Sequence, residues 1–153
     1  LGSVLDFLRL IWAVDHALQR SSKHMEMTTG VTDPQRLAIR VIGKFPGITA
    51  GQLATLLHVH PGTLTGILKR LQRQGLIRRR PDARDGRRSL LGLTDKGRML
   101  EIETQGTVEV ALQHVLATTP PERLQAAREV LESFASHLST SLVAGSGSPI
   151  DRN

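Results

Sequence analysis

The chain has 153 residues and a net charge of +6, with 39% hydrophobic and 22% charged residues, which is the composition of an ordinary globular domain. It contains no cysteine, which excludes disulfides and thiolate chemistry, and its 3% of aromatic residues argue against single-strand binding by base stacking. The apolar runs fall short of the roughly 20 residues of a membrane span, and no basic-then-apolar leader is recognisable, so we expect a cytoplasmic protein without membrane contact.

Two helices are predicted in the first third of the chain. Apolar residues recur at helical spacing from Val4 to Leu18, which predicts an amphipathic helix from about residue 3 to the low twenties. Asp33 followed by Pro34 is typical of an N-cap with proline in the first turn, and it predicts the start of a second helix. The buried stripe of that helix is predicted to consist of Leu37, Ala38, Val41, Ile42 and Phe45.

The next segment predicts a helix-turn-helix. The run Thr49-Ala50-Gly51-Gln52 is a capping box that opens a short helix. After a break at His58-Val59-His60, Pro61 begins a second helix, and Gly75 stands where a left-handed C-terminal cap is needed. The apolar stripe of this second helix has the spacing i, i+3, i+4 and i+7 and consists of Leu64, Ile67, Leu68 and Leu71.

A hairpin and two further helices complete the predicted fold. Segments 76–79 and 89–93 read as strands around a turn-rich loop at 81–86, which is the pattern of a wing. Thr94 is predicted to cap a long helix that reaches roughly to Ala117, and Thr119 to open a capping box before the final helix. We expect a disordered tail over residues 145–153. Near-heptad spacing in the final helix predicts a seam for another helix, formed by Leu124, Ala127, Leu131, Phe134, Leu138 and Leu142.

The basic charge is concentrated in the middle of the chain. Between Arg36 and Arg98 there are fourteen Lys and Arg residues and three acids, whereas the flanking segments carry six basic and eleven acidic residues. The centre therefore has a charge of +11 and the flanks together −5. Such segregation favours a duplex-binding module, because each neutralised phosphate releases counterions and so drives binding.

One face of the predicted second helix of the helix-turn-helix carries small, hydroxyl-bearing and basic side chains opposite the leucine stripe. Glycines there permit close approach to DNA, threonines can reach base edges, and basic residues can meet phosphates. The alternative is a solvated helix face with ordinary basic residues, but the capped helix before it and the basic hairpin after it favour DNA. The candidate DNA-binding residues of this face are Gly62, Thr63, Thr65, Gly66, Lys69, Arg70 and Arg73.

The loop from Arg80 to Arg88 puts several guanidinium groups on a protruding turn, which suits a wing that lies over the DNA backbone with one arginine in the minor groove. Arg84, Arg87 and Arg88 are its candidate DNA-binding residues. Asp85 would repel phosphate, so we interpret it as the partner of an arginine in the wing or the recognition helix whose direction it fixes. The alternative is a flexible charged loop that touches nothing.

Several segments resemble the MarR family of winged-helix transcription regulators. Segment 31–36 resembles the family's Leu-Thr-x-x-Gln start of the second helix, and segments 62–71 and 75–79 resemble its recognition helix and first wing strand. Most specific is Asp85-Gly86-Arg87 with Leu93-Thr94, which matches the family's Asp-x-Arg and Leu-Thr wing signature. The resemblance covers nearly all of the predicted folded chain.

The resemblance implies a mainly α fold, with a winged helix-turn-helix domain over residues 31–94 that carries a two-stranded wing. It implies a helical dimerisation region over residues 1–30 and 95–144, and an obligate homodimer whose recognition helices enter successive major grooves of a pseudopalindromic operator. It also implies that Arg87 is the minor-groove residue and that Asp85 orients a neighbouring arginine. The residues expected to form the dimer are Leu5, Leu8, Leu124, Leu131, Phe134 and Leu138.

The recognition helix is most similar to that of the family's organic-hydroperoxide regulators, whose sensing depends on a cysteine in the first helix. This chain has no cysteine, so that route is excluded. Met25, Met27 and Met99 are poor substitutes, because methionine oxidation more often reports damage.

Many members of the family instead bind a small aromatic or anionic effector in a cleft between the dimerisation helices and the winged domain. Carried over to this chain, that cleft would lie near Trp12, His16 and Phe45. Trp12 and Phe45 also fit the alternative of core residues, which their apolar helical stripes favour. His16 fits the alternative of a polar helix face, which the sequence also favours.

No motif indicates a metal, a cofactor or catalysis. His58 and His60 lack nearby cysteine or acidic residues, and the chain carries neither a phosphate-cradling glycine loop nor a nucleophile motif. The predicted function is a sequence-specific regulator that binds double-stranded DNA, a homodimeric repressor relieved by a small-molecule effector. The alternatives are a sequence-tolerant architectural DNA-binding protein and a winged-helix module that docks an acidic protein partner.

Overall fold

The computed structural model describes residues 2–86, 88–101 and 107–145, and the side chains of all of these except 139 and 141–145. The fold is mainly helical with one two-stranded antiparallel sheet, which confirms the predicted fold class. The chain divides into two compact units, Leu1–Ala111 and Leu112–Asn153. The elements are α1 (Ser3–Thr29), α2 (Asp33–Lys44), α3 (Ala50–Leu56), α4 (Pro61–Arg73), β1 (Ile77–Pro81), β2 (Ser89–Leu93), α5 (Asp95–Met99), α6 (Val108–Thr118) and α7 (Pro121–Gly145).

Helix α1 is longer than predicted. Ser21 and Ser22 lie inside it, and the hydroxyl of Ser22 accepts a hydrogen bond of 3.1 Å from the amide of Asp33 at the start of α2. The helix ends only at Gly30, whose φ of +77° suits a left-handed cap and whose amide donates to the carbonyl of Glu26 over 2.9 Å. Ser22 therefore joins α1 to α2, and neither serine ends the helix.

The buried face of α2 differs from the predicted stripe. Leu37 and Phe45 are 50% and 47% exposed, so their predicted burial is wrong, whereas Ile39 is fully buried. The N-cap is Thr32 rather than Asp33, and the amide of Thr32 donates to the side chain of Gln35 over 3.1 Å. Two polar residues, Gln35 and Arg36, are buried in its first turn. The helix is therefore rotated about its axis so that they face the core and Leu37 faces outward.

The predicted long helix from Thr94 to Ala117 is wrong. Thr94 does cap α5, since its hydroxyl accepts from the amide of Gly97 over 3.1 Å, but α5 ends at Met99. Arg36 donates to the carbonyl of Leu100 over 2.8 Å, and Arg40 donates to the carbonyl of Glu101. These arginines from α2 occupy the carbonyl oxygens that a continuing helix would use, and the next described helix, α6, begins at Val108.

The core of the first unit lies between α2, α3, α4 and the sheet. The hairpin pairs Ile77 with Leu93 at one end and Pro81 with Ser89 at the other, so β1 runs two residues beyond the predicted strand. The segment before α3 lies along the other side of β2, where the amide of Leu91 donates to the carbonyl of Ile48 over 2.9 Å. This pairing fixes the wing to the start of the helix-turn-helix. The largest fully buried side chains are Val31, Ile39, Ile42, Leu53, Leu64, Leu68, Leu71, Leu76 and Leu91.

The second unit consists of the end of α6 and α7. The predicted capping box at Thr119 is wrong, because α7 begins at Pro121 and the hydroxyl of Thr119 donates back to the carbonyl of Val115 over 2.7 Å. Residue 145 of the predicted tail is the last residue of α7, and the rest of that tail lies outside the described residues. In the part of the chain that is described, no helix combines the length and apolar character that crossing a membrane requires.

Candidate nucleic-acid interface

Helix α4 is anchored at its start by a histidine cap and along one side by leucines. The ring Nδ1 of His60 accepts a hydrogen bond of 3.1 Å from the amide of Gly62, and Pro61 occupies the first helical position. Leu64, Leu68 and Leu71 are buried to 1% exposure or less. The helix therefore has a fixed rotation, and its opposite face is turned outward.

That outward face carries all seven DNA-binding residues predicted on this helix, and every one of them is exposed. The hydroxyl of Thr65 donates to the carbonyl of Pro61 over 2.8 Å, which leaves its oxygen lone pairs directed outward as acceptors. A Cβ built on Gly66 would meet nothing within 4 Å, so the packing of the chain does not require glycine there. In the described part of the chain, no acid pairs with Lys69 or Arg73.

Arg70 differs from the other basic residues of α4 because it has a partner in α1. Its Nη2 lies 2.6 Å from the carboxylate of Glu26, and the two side chains are about half exposed. The end of α4 is also bonded to the end of α1. The side chain of Gln74 donates to the carbonyl of Gly30, the C-cap of α1, over 2.8 Å. No sequence pattern predicts this connection, because Glu26 and Arg70 are 44 positions apart.

The wing loop is built by its own hydrogen bonds. The amide of Asp82 donates to the carbonyl of Arg88 over 3.0 Å, and the amide of Arg84 donates to the side chain of Asp82 over 2.9 Å. The Asp85 carboxylate lies 3.4 Å from Nε of Arg88, and both side chains are exposed. Arg84 is also exposed, whereas Arg87 lies outside the described residues.

The residues considered for an effector cleft are on the surface of the chain. Trp12 is 76% and Phe45 is 47% exposed, and His16 is exposed as well. The interpretation of Trp12 and Phe45 as core residues is therefore wrong.

The residues considered for dimerisation are also on the surface, in each of the two units. Leu5 and Leu8 on α1 are 55% and 49% exposed. On α7, Leu131, Phe134 and Leu138 are exposed and Leu124 is half-buried. Apolar side chains at helical spacing on the outside of a chain indicate a surface that another molecule covers.

A helix with a leucine stripe on one side and small, hydroxyl and basic residues on the other, next to a basic hairpin, defines a winged helix-turn-helix DNA-binding protein. The chain belongs to the MarR family of transcriptional regulators. The family's model matches residues 29–88, which contain α2, α3, α4 and most of the wing.

Three known proteins illustrate this similarity. The chain is 32% identical over 126 residues to the HTH-type transcriptional regulator TtmR of Methylorubrum extorquens, and the alignment spans 82% of this chain but 62% of that relative. It is 30% identical over 102 residues to the organic hydroperoxide resistance transcriptional regulator of Bacillus subtilis, which corresponds to 65% and 69% of the two chains. The crystal structure of the S. aureus MepR–DNA complex superposes with a TM-score of 0.69 at 24% identity, over 86% of this chain and 97% of that one.

Proposed function

We propose that the protein is a homodimer that binds a specific pseudopalindromic site on double-stranded DNA and represses transcription there, and that a small effector releases it. The observation that carries the proposal is the outward face of α4, where glycine and threonine come first and exposed basic residues follow, of which Lys69 and Arg73 have no acidic partner in the described chain. Occupancy is enough for repression, because a protein seated on a duplex excludes other proteins from the same site. Operator binding would place the protein in the cytoplasm with the DNA.

In this proposal the start of α4 reads the bases. Gly62 and Gly66 let the helix backbone approach the floor of the major groove, and the oxygens of Thr63 and Thr65 accept hydrogen bonds from base edges. Lys69 and Arg73 bind phosphates at the rim of the groove. The list of proposed contacts is completed by the wing residues Arg84, Arg87 and Arg88, with Arg87 in the minor groove and Asp85 orienting a neighbouring arginine.

Dimerisation would cover the exposed apolar side chains of α1 and α7. Residues 31–94 would then form the DNA-reading domain, and residues 1–30 with 95–144 the dimerisation region. Two recognition helices related by a two-fold axis read half-sites that are about 34 Å apart, which is one helical turn of DNA. The proposal therefore makes affinity depend on the distance between the two copies of α4.

The proposed effector site uses Trp12, His16 and Phe45, whose exposed rings would bind an aromatic or anionic molecule in the assembled dimer. A connection from this region to the DNA-reading helix exists in α1, because Glu26 near its end is paired with Arg70 of α4. A ligand that displaces α1 would displace α4 through this pair. Such a change in spacing weakens binding without any contact between ligand and DNA.

The test is selection of bound fragments from random duplex DNA, followed by titration of the enriched site against a scrambled duplex at physiological salt. The proposal predicts a two-fold-symmetric motif that is preferred by at least roughly 10³. Equal, salt-sensitive binding to all duplexes would instead identify a sequence-tolerant architectural protein. Light scattering at micromolar concentration should give the mass of a dimer, and a monomer mass would contradict the proposed assembly.

A further inference from the structure

The strand β1 carries three consecutive arginines, and the register of the hairpin divides them between two faces of the sheet. Arg79 is paired with Leu91, whereas Arg78 is paired with Gly92 and Arg80 with Leu90. Successive residues of a strand point to opposite faces. Arg79 therefore lies on one face, and Arg78 and Arg80 lie on the other.

The face of Arg79 opens into a groove beside the start of α3. The groove has a volume of about 470 Å³ and contains two guanidinium groups and no carboxylate. Among the described residues no acid pairs with Arg79, and the 3.4 Å pair of Arg88 with Asp85 is exposed, so water and salt weaken it. The residues lining this groove are Thr49, Ala50, Gly51, Gln52, Arg79, Arg88 and Ser89.

The opposite face is less suited to an anion. Arg78 and Arg80 line a smaller cavity of about 210 Å³, which also contains the carboxylate of Glu101. Arg98, the third arginine of that cavity, is already bonded to Asp95 and to the carbonyl of Leu93. The protein itself compensates part of the positive charge on this side of the sheet.

We propose that Arg79, together with Arg88 across the groove, holds one backbone phosphate of the bound duplex beside α3. The inference rests on the proposed operator binding. The first helix of a helix-turn-helix crosses the DNA backbone, and α3 is that helix here. A guanidinium binds two phosphate oxygens at once, and such a contact fixes the position of the protein without reading sequence.

The direct test compares Arg79→Gln with Arg80→Gln, which removes the same charge from the other face of the same strand. Affinity for the selected site is measured by fluorescence anisotropy across a range of salt concentrations. Each phosphate contact adds about 0.9 to the slope of log affinity against log salt, so complete loss of this contact in both subunits would lower the slope by about 1.8. Arg79→Gln should remove most of that amount, since Arg88 remains beside the phosphate. Arg80→Gln should change the slope far less. Arg79→Lys keeps the charge and should have most of the slope of the unmodified protein.

A second experiment identifies the backbone phosphate that contacts Arg79. In duplexes with one neutral methylphosphonate linkage per half-site, the linkage that contacts Arg79 should weaken binding of the unmodified protein severalfold and should weaken binding of Arg79→Gln by a clearly smaller factor. Every other linkage should change the DNA affinity of the two proteins by the same factor. Circular dichroism and the melting temperature should be unchanged, because the exposed side chain of Arg79 makes no described hydrogen bond.

The outcomes separate this inference from the proposed function. If the unmodified protein prefers its selected site but Arg80→Gln lowers the slope as much as Arg79→Gln, the phosphate site is wrong and operator binding stands. The same holds if no linkage behaves differently in the two proteins. If the unmodified protein shows no preference for any duplex, the proposed function itself fails.

Discussion

Gly66 offers a substitution for which stability and DNA affinity are expected to move in opposite directions. Glycine inside a helix is about 1 kcal/mol less favourable than alanine. A Cβ on Gly66 would meet nothing within 4 Å, so Gly66→Ala adds no clash within the chain. The free energy of unfolding should rise by about 1 kcal/mol, which for a chain of this size raises the melting temperature by about 2–4 °C.

DNA affinity should fall in the same variant, because the added methyl group holds α4 away from the floor of the major groove. Loss of one base contact costs about 1–3 kcal/mol, and a fall of roughly tenfold in affinity for the selected site is expected. Melting followed by circular dichroism gives the first quantity, and fluorescence anisotropy gives the second. The matched control is Ser136→Ala on the exposed surface of α7, which should also stabilise its helix and leave DNA affinity unchanged.

Two results for Gly66→Ala would refute this reasoning. Higher stability with unchanged affinity would show that the start of α4 does not approach DNA closely, and the recognition-face assignment would be wrong. Lower stability would show that the space beside Gly66 is occupied in the assembled protein, and any loss of affinity would then have a different cause.

Three further substitutions test the packing that positions the interface. Gly97→Ala should lower the free energy of unfolding by about 1–3 kcal/mol, because its Cβ would overlap the carbonyl oxygen of Leu76, a backbone atom that cannot move aside. Glu109→Gln should lower it by about 2–3 kcal/mol, because Arg36 is 3% exposed and loses its carboxylate partner at 3.1 Å. His60→Ala should cost about 1 kcal/mol through loss of the cap on α4, and His60→Asn should restore most of that loss.

Urea denaturation measures all three changes, and each has a clear contrary result. An unchanged midpoint for Gly97→Ala would mean that α5 can shift away from the carbonyl oxygen of Leu76. The control for Glu109→Gln is Glu129→Gln on the surface of α7, which should stay within about 0.5 kcal/mol, and equal effects would mean that the Arg36 pair contributes little. Equal losses for His60→Ala and His60→Asn would show that the ring matters for something other than its acceptor nitrogen.

Features that depend on neighbouring residues could be predicted from the sequence. The capping box at Thr49 and Gln52 closes within one turn, with the amide of Thr49 donating to Gln52 over 3.0 Å. Gly75 has the predicted left-handed conformation, with a φ of +71°. The hairpin and the leucine stripe of α4 were predictable for the same reason, because periodicity and turn chemistry are local properties.

Features that depend on distant residues could not be predicted in this way. The rotation of α2 is fixed by the bond between Arg36 and Glu109, which are 73 positions apart. The end of α5 follows from the same helix, since Arg36 and Arg40 take the carbonyl oxygens that a longer helix would need. Helical periodicity cannot distinguish a buried arginine with a partner from an exposed one. The prediction therefore placed Leu37 and Phe45 on the buried face in error, although Ala38 and Ile42 are buried as predicted.

The distribution of bonds along α4 divides the helix into two parts with different expected roles. Its end is held by the protein, since Arg70 is paired with Glu26 and Gln74 donates to the carbonyl of Gly30. Its first half has a cap but no bond from an exposed side chain to another element of the described chain, so its polar groups are available to DNA. Substitution of Thr63 should therefore change which sequences are preferred, whereas Arg70→Gln should alter the position of α4 and change affinity for all sequences alike. Affinities measured on a set of single-base variants of the selected site distinguish the two patterns, and a sequence-dependent effect of Arg70→Gln would place that guanidinium on a base rather than on α1.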